Sequence, residues 1–129
     1  MVEIKDMTLH ERILMVQMEM PAMRKDNDGY NYKYFDINQM IEIMKPLFKK
    51  YGLLVLQPLT NIEGKPAIET IVRSKGEEVS WITPLPTMQV MKQGEQGTDP
   101  QKVGSAVTYM RRYALQSLFM LQAEDKDGK

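Results

Sequence analysis

The segment from Leu53 to Thr83 reads LLVLQPLTNIEGKPAIETIVRSKGEEVSWIT and decides the fold. It contains three apolar or alternating stretches of strand length, Leu53–Leu59, Ala67–Arg73 and Glu78–Thr83. In the third stretch, Val79 and Trp81 fall on one side of the strand. Two groups of turn-forming residues separate the stretches, Asn61–Pro66 and Ser74–Glu77. Because each connection is short, the segment predicts a three-stranded antiparallel meander.

Two helices are predicted before this meander. Each begins with a polar residue followed three positions later by Glu or Gln, Thr8 with Glu11 and Asp36 with Gln39. Apolar residues then recur at helical spacing in both segments. We expect the first helix to stop at Pro21 and the second to end at Gly52, which suits a C-terminal cap. Pro46 lies inside the second helix and is expected to kink or divide it.

A third helix follows the meander and has clear start signals. Asp99 is the expected N-cap, and Pro100 takes the first helical position. One face is predicted to be an apolar stripe formed by Val103, Val107, Met110, Ala114, Leu118 and Leu121. The opposite face carries Gln101, Ser105, Thr108, Arg112 and Gln116. The flanks carry Lys102 and Tyr109 on one side, and Gly104 and Arg111 on the other.

These segments together predict an α+β fold, in which two to three helices pack on the three-stranded antiparallel meander. The chain has 129 residues, which is the size of one domain. We place that domain at residues 1–122 and expect a solvated acidic tail at residues 123–129.

Composition excludes several classes of protein. Cysteine is absent, so the chain has no disulfide framework, thiolate metal site or cysteine nucleophile. Seventeen Lys and Arg balance seventeen Asp and Glu, so only local basic groups could bind a polyanion. No segment reaches the roughly 18 apolar residues of a membrane span, and the N-terminus has no signal-peptide core; we expect a soluble, cytoplasmic protein. The twelve methionines either fill gaps in the core or form an adaptable self-association surface.

The sequence shows no motif for catalysis or for a cofactor. It lacks the GxxxxGK[ST] and GxGxxG loops that bind nucleotide phosphates. The single histidine, His10, is expected on the surface of the first helix. The acidic clusters Asp26–Gly29 and Asp125–Gly128 lack the outer carboxylates of a calcium loop, which indicates a turn and a solvated tail. We expect no catalytic residue, metal or cofactor, and a metal nuclease that uses the tail acids is the least favoured function.

The first candidate binding region is the tyrosine-rich segment Arg24–Phe35. It interleaves aromatic residues with cations, at Lys25, Tyr30, Tyr32, Lys33 and Tyr34. Aromatic rings stack on unpaired bases while cations bind phosphates, so the pattern is typical of single-stranded nucleic acid binding. The alternative is an edge strand whose alternating tyrosines pack on the sheet.

The second candidate region is the polar face of the third helix. No acidic residue occurs between Lys102 and Gln122. Four side chains on or beside this face are suitable donors to phosphate oxygens, Lys102, Ser105, Thr108 and Arg112. Arg111 lies nearer to the apolar stripe and is either a DNA contact or a structural or intersubunit salt-bridge partner. The alternative for the whole face is an ordinary solvated helix surface.

The segment GSAVTYMRRYAL, Gly104–Leu115, preceded by Asp99-Pro100-Gln101, resembles the signature of the ERF (essential recombination function) family of phage single-strand annealing proteins. Gly29–Tyr34, followed by a helix that contains Lys45-Pro46-Leu47 and Tyr51-Gly52-Leu53, resembles an earlier motif of this family. The acidic ending, Glu124–Gly128, resembles its Asp-rich close. The similarity runs from about Leu9 to Gly128, nearly the whole chain.

The resemblance implies an ATP-independent protein that binds single-stranded DNA and anneals complementary strands in phage homologous recombination. It also implies an annealing-protein-like core, a homo-oligomeric ring or filament, and a location in the cytoplasm of a bacterial host. A phage exonuclease and a single-strand-binding protein are candidate partners. Many family members continue beyond this domain, so the chain is either a short member or a part of one. The alternative function is a self-assembling interaction module that recruits recombination partners and contacts DNA weakly.

Overall fold

The computed structural model describes residues 2–25, 27–29, 32–85 and 100–123, with the backbone alone at 27–29, 32–34 and 100–102. A short 3-10 helix, Ile4–Asp6, precedes three longer helices, α1 (Leu9–Glu19), α2 (Ile37–Tyr51) and α3 (Pro100–Leu118). Within the described ranges, the strands between α1 and α3 are β1 (Asn27–Gly29), β2 (Tyr32–Tyr34), β3 (Leu54–Leu56), β4 (Leu59–Ile62), β5 (Lys65–Ser74) and β6 (Glu77–Pro84).

The main sheet is built around β5, its longest strand. β6 pairs antiparallel with one edge of β5, from Ala67 opposite Pro84 to Ser74 opposite Glu77. β3 and β4 share the other edge, where both run antiparallel to β5. Gln57 and Pro58 interrupt this edge, although the Pro58 carbonyl still accepts the Glu69 amide at 3.0 Å. The α+β fold is therefore confirmed, with the first predicted strand divided into two, so that the described residues form a sheet of four strands.

Two tight turns connect β4 to β5 and β5 to β6. Glu63 and Gly64 have φ angles of 51° and 78°, and Lys75 and Gly76 have φ angles of 49° and 81°. Consecutive positive φ angles are typical of the type I′ turn, whose twist matches that of antiparallel strands. The turn predicted at Ser74–Glu77 is confirmed. The turn predicted at Asn61–Pro66 is shorter than expected, because only Glu63 and Gly64 separate β4 from β5.

The sequence signals of α1 and α2 lie where they were expected. Thr8 and Glu11 form a complete capping box: the Thr8 hydroxyl accepts the Glu11 amide, and the Glu11 carboxylate accepts the Thr8 amide. Asp36 accepts the Asn38 amide at the start of α2. The predicted division of α2 at Pro46 is wrong, because the helix is continuous to Tyr51.

The core lies between the three helices and one face of the sheet. Its fully buried side chains include Leu9 and Val16 of α1, Met40 and Met44 of α2, and Val72 of β5. Two methionines thus fill the middle of the core, as the first of the two alternatives predicted. Met18 and Met120 are exposed, so this account does not extend to every methionine.

The tyrosine-rich segment forms a separate two-stranded ribbon. β1 pairs antiparallel with β2, with Asn27 opposite Tyr34 and Gly29 opposite Tyr32. The predicted edge strand is wrong, because this ribbon does not pair with the main sheet in the part of the chain that is described. The predicted turn at Asp26–Gly29 is also wrong at its described residues, since Asn27–Gly29 is a strand.

α3 begins at Pro100 as predicted, while its expected cap, Asp99, lies outside the described residues. Its buried face differs from the predicted apolar stripe. The buried residues in and just after α3 are Arg112, Leu115 and Phe119, whose spacing of three and four places them on one side. Of the described helices, none is long and apolar enough to span a membrane.

Candidate nucleic-acid interface

A groove opens where α2, α3 and β3 meet, and we call it the Arg111 groove. Its volume is about 320 Å³. It is lined by Ile41, Met44, Lys45, Phe48, Val55, Gln57, Arg111 and Leu115. The lining combines an apolar floor with two cations, one aromatic ring and one amide. These are groups that can contact the phosphates, sugars and bases of a nucleic acid.

α2 supplies one wall of the Arg111 groove. Lys45 and Phe48 are three residues apart, so they project from the same side of the helix. Lys45 is exposed, whereas Phe48 is partly buried because its ring packs against that of Phe119, with the ring centres 5.2 Å apart. The aromatic wall is therefore held by the core, and the cation is free to move in solvent.

Gln57 fixes the opposite wall at the point where the edge of the sheet is interrupted. Its side-chain amide donates to the hydroxyl of Thr70 on β5 at 3.1 Å. The same nitrogen donates to the backbone carbonyl of Arg111 at 3.3 Å. A single amide thus joins the sheet to α3 beside the groove, and it fixes the backbone that carries the Arg111 side chain.

The described residues that line the Arg111 groove carry a net positive charge. Lys45 and Arg111 are the charged residues among the described lining residues, which include no carboxylate. Among the described side chains, no carboxylate lies within 4.0 Å of the Arg111 guanidinium. The ion pairs among these side chains lie elsewhere and join Glu3 with Lys5, Glu19 with Lys50 and Glu78 with Arg73. Cations that no carboxylate neutralises attract phosphates most strongly.

Arg112 lies on the other side of α3 from its expected position. It is only 6% exposed, and its guanidinium carbon lies 5.3 Å from the centre of the Tyr109 ring. The predicted outward face for Arg112 is therefore wrong. Leu115 and Phe119 face the core, and Arg112 is buried because it lies on the same side of the helix as these two residues.

The other predicted residues are dispersed. Ser105 and Thr108 are exposed on α3, and Lys25 is exposed with its ammonium 5.2 Å from the centre of the Phe35 ring. Tyr32, Lys33, Tyr34 and Lys102 are placed by their backbone alone, and Tyr30 lies outside the described residues. Of the predicted side chains that the structure describes, Arg111 is the one that lines the groove.

Sequence reasoning missed the contributions of α2 and of the interrupted edge strand. Lys45 stands within a motif that carried the family resemblance, and this was the available signal for it. Phe48 is one of the apolar residues at helical spacing in the second predicted helix, and Gln57 falls within the first predicted strand, Leu53–Leu59. Nothing in their local sequence indicates that they meet Arg111, which lies more than fifty residues further along the chain.

No metal site occurs in the described part of the chain, where no group of three or more His, Asp or Glu side chains could hold an ion. The tail acids of the nuclease hypothesis lie outside the described residues. The structure thus defines a small α+β domain built on an antiparallel sheet, with a cationic groove between two of its helices.

The ERF superfamily model matches residues 9–129, nearly the whole chain, and the chain belongs to this family. The resemblance inferred from the third helix is thereby confirmed. At the level of the family, membership connects the chain with phage recombination and single-strand annealing. No curated protein and no solved structure shows significant similarity to the chain.

Proposed function

We propose that this protein binds single-stranded DNA without ATP and anneals complementary strands. The observation that carries the proposal is the Arg111 groove, in which Lys45 and Arg111 flank an aromatic wall and the lining residues that the structure describes include no carboxylate. Phosphates can pair with the two cations, while the Phe48 ring offers an apolar surface to a sugar or base. The family's association with strand annealing supports the same function.

A row of donors extends the proposed DNA path along α3. Ser105, Thr108 and Arg111 follow one another in steps of three, so each is a neighbour of the next on the helix surface. Ser105 and Thr108 are exposed, and their hydroxyls can donate to phosphate oxygens. Arg111 thus takes the role that the sequence had suggested for Arg112.

A grip of this kind is independent of base sequence, because phosphate contacts carry no sequence information. Bases held by their backbone remain available to a complementary strand. Pairing then supplies both the specificity and the driving free energy, and no catalytic residue or nucleotide cofactor is required. We propose that several subunits assemble so that their grooves hold one continuous strand.

The second candidate function is a self-assembling interaction module with weak DNA contact. A specific observation favours it: the face of the sheet turned away from the helices carries exposed aliphatic side chains, Leu54, Ile62 and Ile82. Their partners in β5 are Arg73, Lys65 and Glu69, which alternate along the strand and so share that face. Exposed aliphatic patches of this kind are typical of protein contact surfaces.

A titration of a labelled poly-dT oligonucleotide, followed by fluorescence anisotropy at low and at physiological salt, tests the proposal. We expect tight binding that weakens as salt rises. Lys45→Ala should weaken binding, whereas Lys49→Ala removes an exposed cation of the same helix outside the groove lining and serves as the matched control. Annealing of complementary strands without ATP would complete the test. An oligomer that fails to bind at low salt would instead support the interaction module.

A further inference from the structure

A second groove, which we call the Trp81 groove, adjoins the first. Its volume is about 450 Å³, and it is lined by Gln17, Thr70, Trp81, Thr83, Ala114, Ser117 and Leu118. Gln57 lines the Arg111 groove and Thr70 lines the Trp81 groove, and the two side chains are hydrogen-bonded at 3.1 Å. The two grooves therefore meet at this hydrogen bond, beneath α3.

Trp81 stands on the face of the sheet that the helices cover, yet much of its indole is uncovered. Its partner in β5 is Thr70, which is buried, and two residues further along β5 lies the core residue Val72. Trp81 nevertheless remains 47% exposed. A large aromatic surface is thus open to solvent at a position where the sheet would ordinarily bury it.

The polar groups around the indole are neutral. Thr83 and Ser117 carry hydroxyls, and none of the groove-lining residues in the described part of the chain is charged. The Thr70 hydroxyl accepts a hydrogen bond from Gln57 and retains its own proton to donate. The Gln17 side-chain nitrogen donates to the Leu118 carbonyl at 2.7 Å, which leaves its oxygen able to accept.

This chemistry selects the class of ligand. An aromatic wall with neutral donors and acceptors suits a planar, uncharged heteroaromatic ring with polar edges, and the absence of charge disfavours a free phosphate. An unpaired nucleobase has these properties. Its π-face stacks on an aromatic side chain whatever its identity, so such a site tolerates any sequence.

We propose that the Trp81 groove holds one unpaired nucleobase, stacked on the Trp81 indole with its edge facing the hydroxyls. This inference rests on the proposed binding of single-stranded DNA. The Arg111 groove binds phosphates, while the Trp81 groove binds a base only while that base is unpaired. A base that has paired with a complementary strand is stacked in a duplex and leaves the indole.

Intrinsic fluorescence tests the proposal directly, because Trp81 is the single tryptophan of the chain. The full chain is titrated with an oligo-dT and with an abasic oligonucleotide of equal length and charge, while anisotropy of a label on the DNA reports binding. We expect the oligo-dT to quench the indole emission and the abasic strand to bind without quenching it. Addition of the complementary strand should restore the emission.

A variant series separates stacking from folding. Trp81→Leu should weaken oligo-dT binding about fivefold to a hundredfold, as expected for the loss of one stacked base. Trp81→Leu should leave the affinity for the abasic strand unchanged. Trp81→Tyr should retain most of the wild-type affinity for oligo-dT, because tyrosine can also stack on a base. Ser80→Ala alters the exposed neighbouring residue on the opposite face of the sheet and is the matched control.

The outcomes are distinguishable from those of the proposed function. Binding by anisotropy with equal quenching by both strands, or with none, overturns the base site and leaves DNA binding intact. Equal affinity of Trp81→Leu and wild type for oligo-dT overturns it as well. Absence of binding to either strand overturns the proposed function and this inference together.

Discussion

Arg111 and Arg112 are consecutive residues of α3, yet Arg111 lines an open groove whereas Arg112 is buried beside Tyr109. The two arginines therefore have different roles. Arg111 can contact a ligand, and Arg112 helps to hold the helix in place. Variants at the two positions should separate DNA affinity from stability.

Arg111→Ala should reduce affinity for single-stranded DNA and leave the midpoint of urea unfolding close to that of the wild type. Loss of one phosphate contact should also flatten the plot of log affinity against log salt concentration by about 0.7. Anisotropy titrations at several salt concentrations measure both effects. An unchanged salt slope would show that Arg111 makes no phosphate contact.

Arg112→Ala should instead lower the free energy of unfolding, by about 2 kcal/mol. The substitution removes a buried side chain together with its cation–π contact to Tyr109. Urea unfolding followed by circular dichroism measures the loss, with Ser105→Ala as an exposed control on the same helix. A stable Arg112→Ala protein that has lost DNA affinity would restore the outward face predicted from the sequence.

Arg12 is a structural residue that the sequence did not reveal. It is 3% exposed, and its guanidinium donates to three backbone carbonyls, those of Ile4, Met7 and Tyr51. The side chain thus ties the segment before α1 to the C-terminal end of α2. Because an unsatisfied buried carbonyl is costly, Arg12→Met should lower the free energy of unfolding by about 3 kcal/mol. His10→Ala, an exposed change in the same helix, should alter it by less than about 0.5 kcal/mol. A similar small effect for both variants would contradict the structural role.

Gly52 is required for two separate reasons. It adopts the left-handed conformation that ends α2, with φ of 65°, and an added Cβ would lie 2.7 Å from the Arg12 Nη1 atom. Gly64 also has a positive φ, of 78°, but an added Cβ there would meet nothing within 4 Å. Gly64→Ala should therefore cost only the backbone strain, about 1–2 kcal/mol. Gly52→Ala should cost more, since Arg12 must also move. Equal losses in urea unfolding would show that the contact with Arg12 carries no penalty.

The fold could be predicted where its signals are local. The capping box of Thr8 and Glu11, the glycine at the end of α2 and the turn at Lys75-Gly76 each depend on a few neighbouring residues. Such signals can be recognised in the sequence because the groups that interact lie only a few residues apart.

The candidate site could be predicted only in part, because its geometry depends on distant contacts. Amphipathic periodicity gave α3 a polar face, but the direction of that face was set by Phe119 packing on Phe48 of α2. The role of Arg12 was hidden for a related reason. Its acceptors are backbone carbonyls, which every residue has, so no side-chain pattern marks them.

Pro46 lies inside α2, which continues through it without interruption to Tyr51. Proline has no amide proton, so the carbonyl of Glu42 receives no hydrogen bond from position 46. Pro46 is exposed, and alanine there would restore the donor without disturbing the core. Proline is about 3 kcal/mol less favourable than alanine inside a helix, but it also restricts the unfolded chain by up to about 1 kcal/mol. Pro46→Ala should therefore raise the free energy of unfolding by about 2 kcal/mol, measured by urea unfolding beside Lys49→Ala as the control in the same helix. A loss of stability would show that the proline shapes α2 in a way that packing of Met40 and Met44 requires.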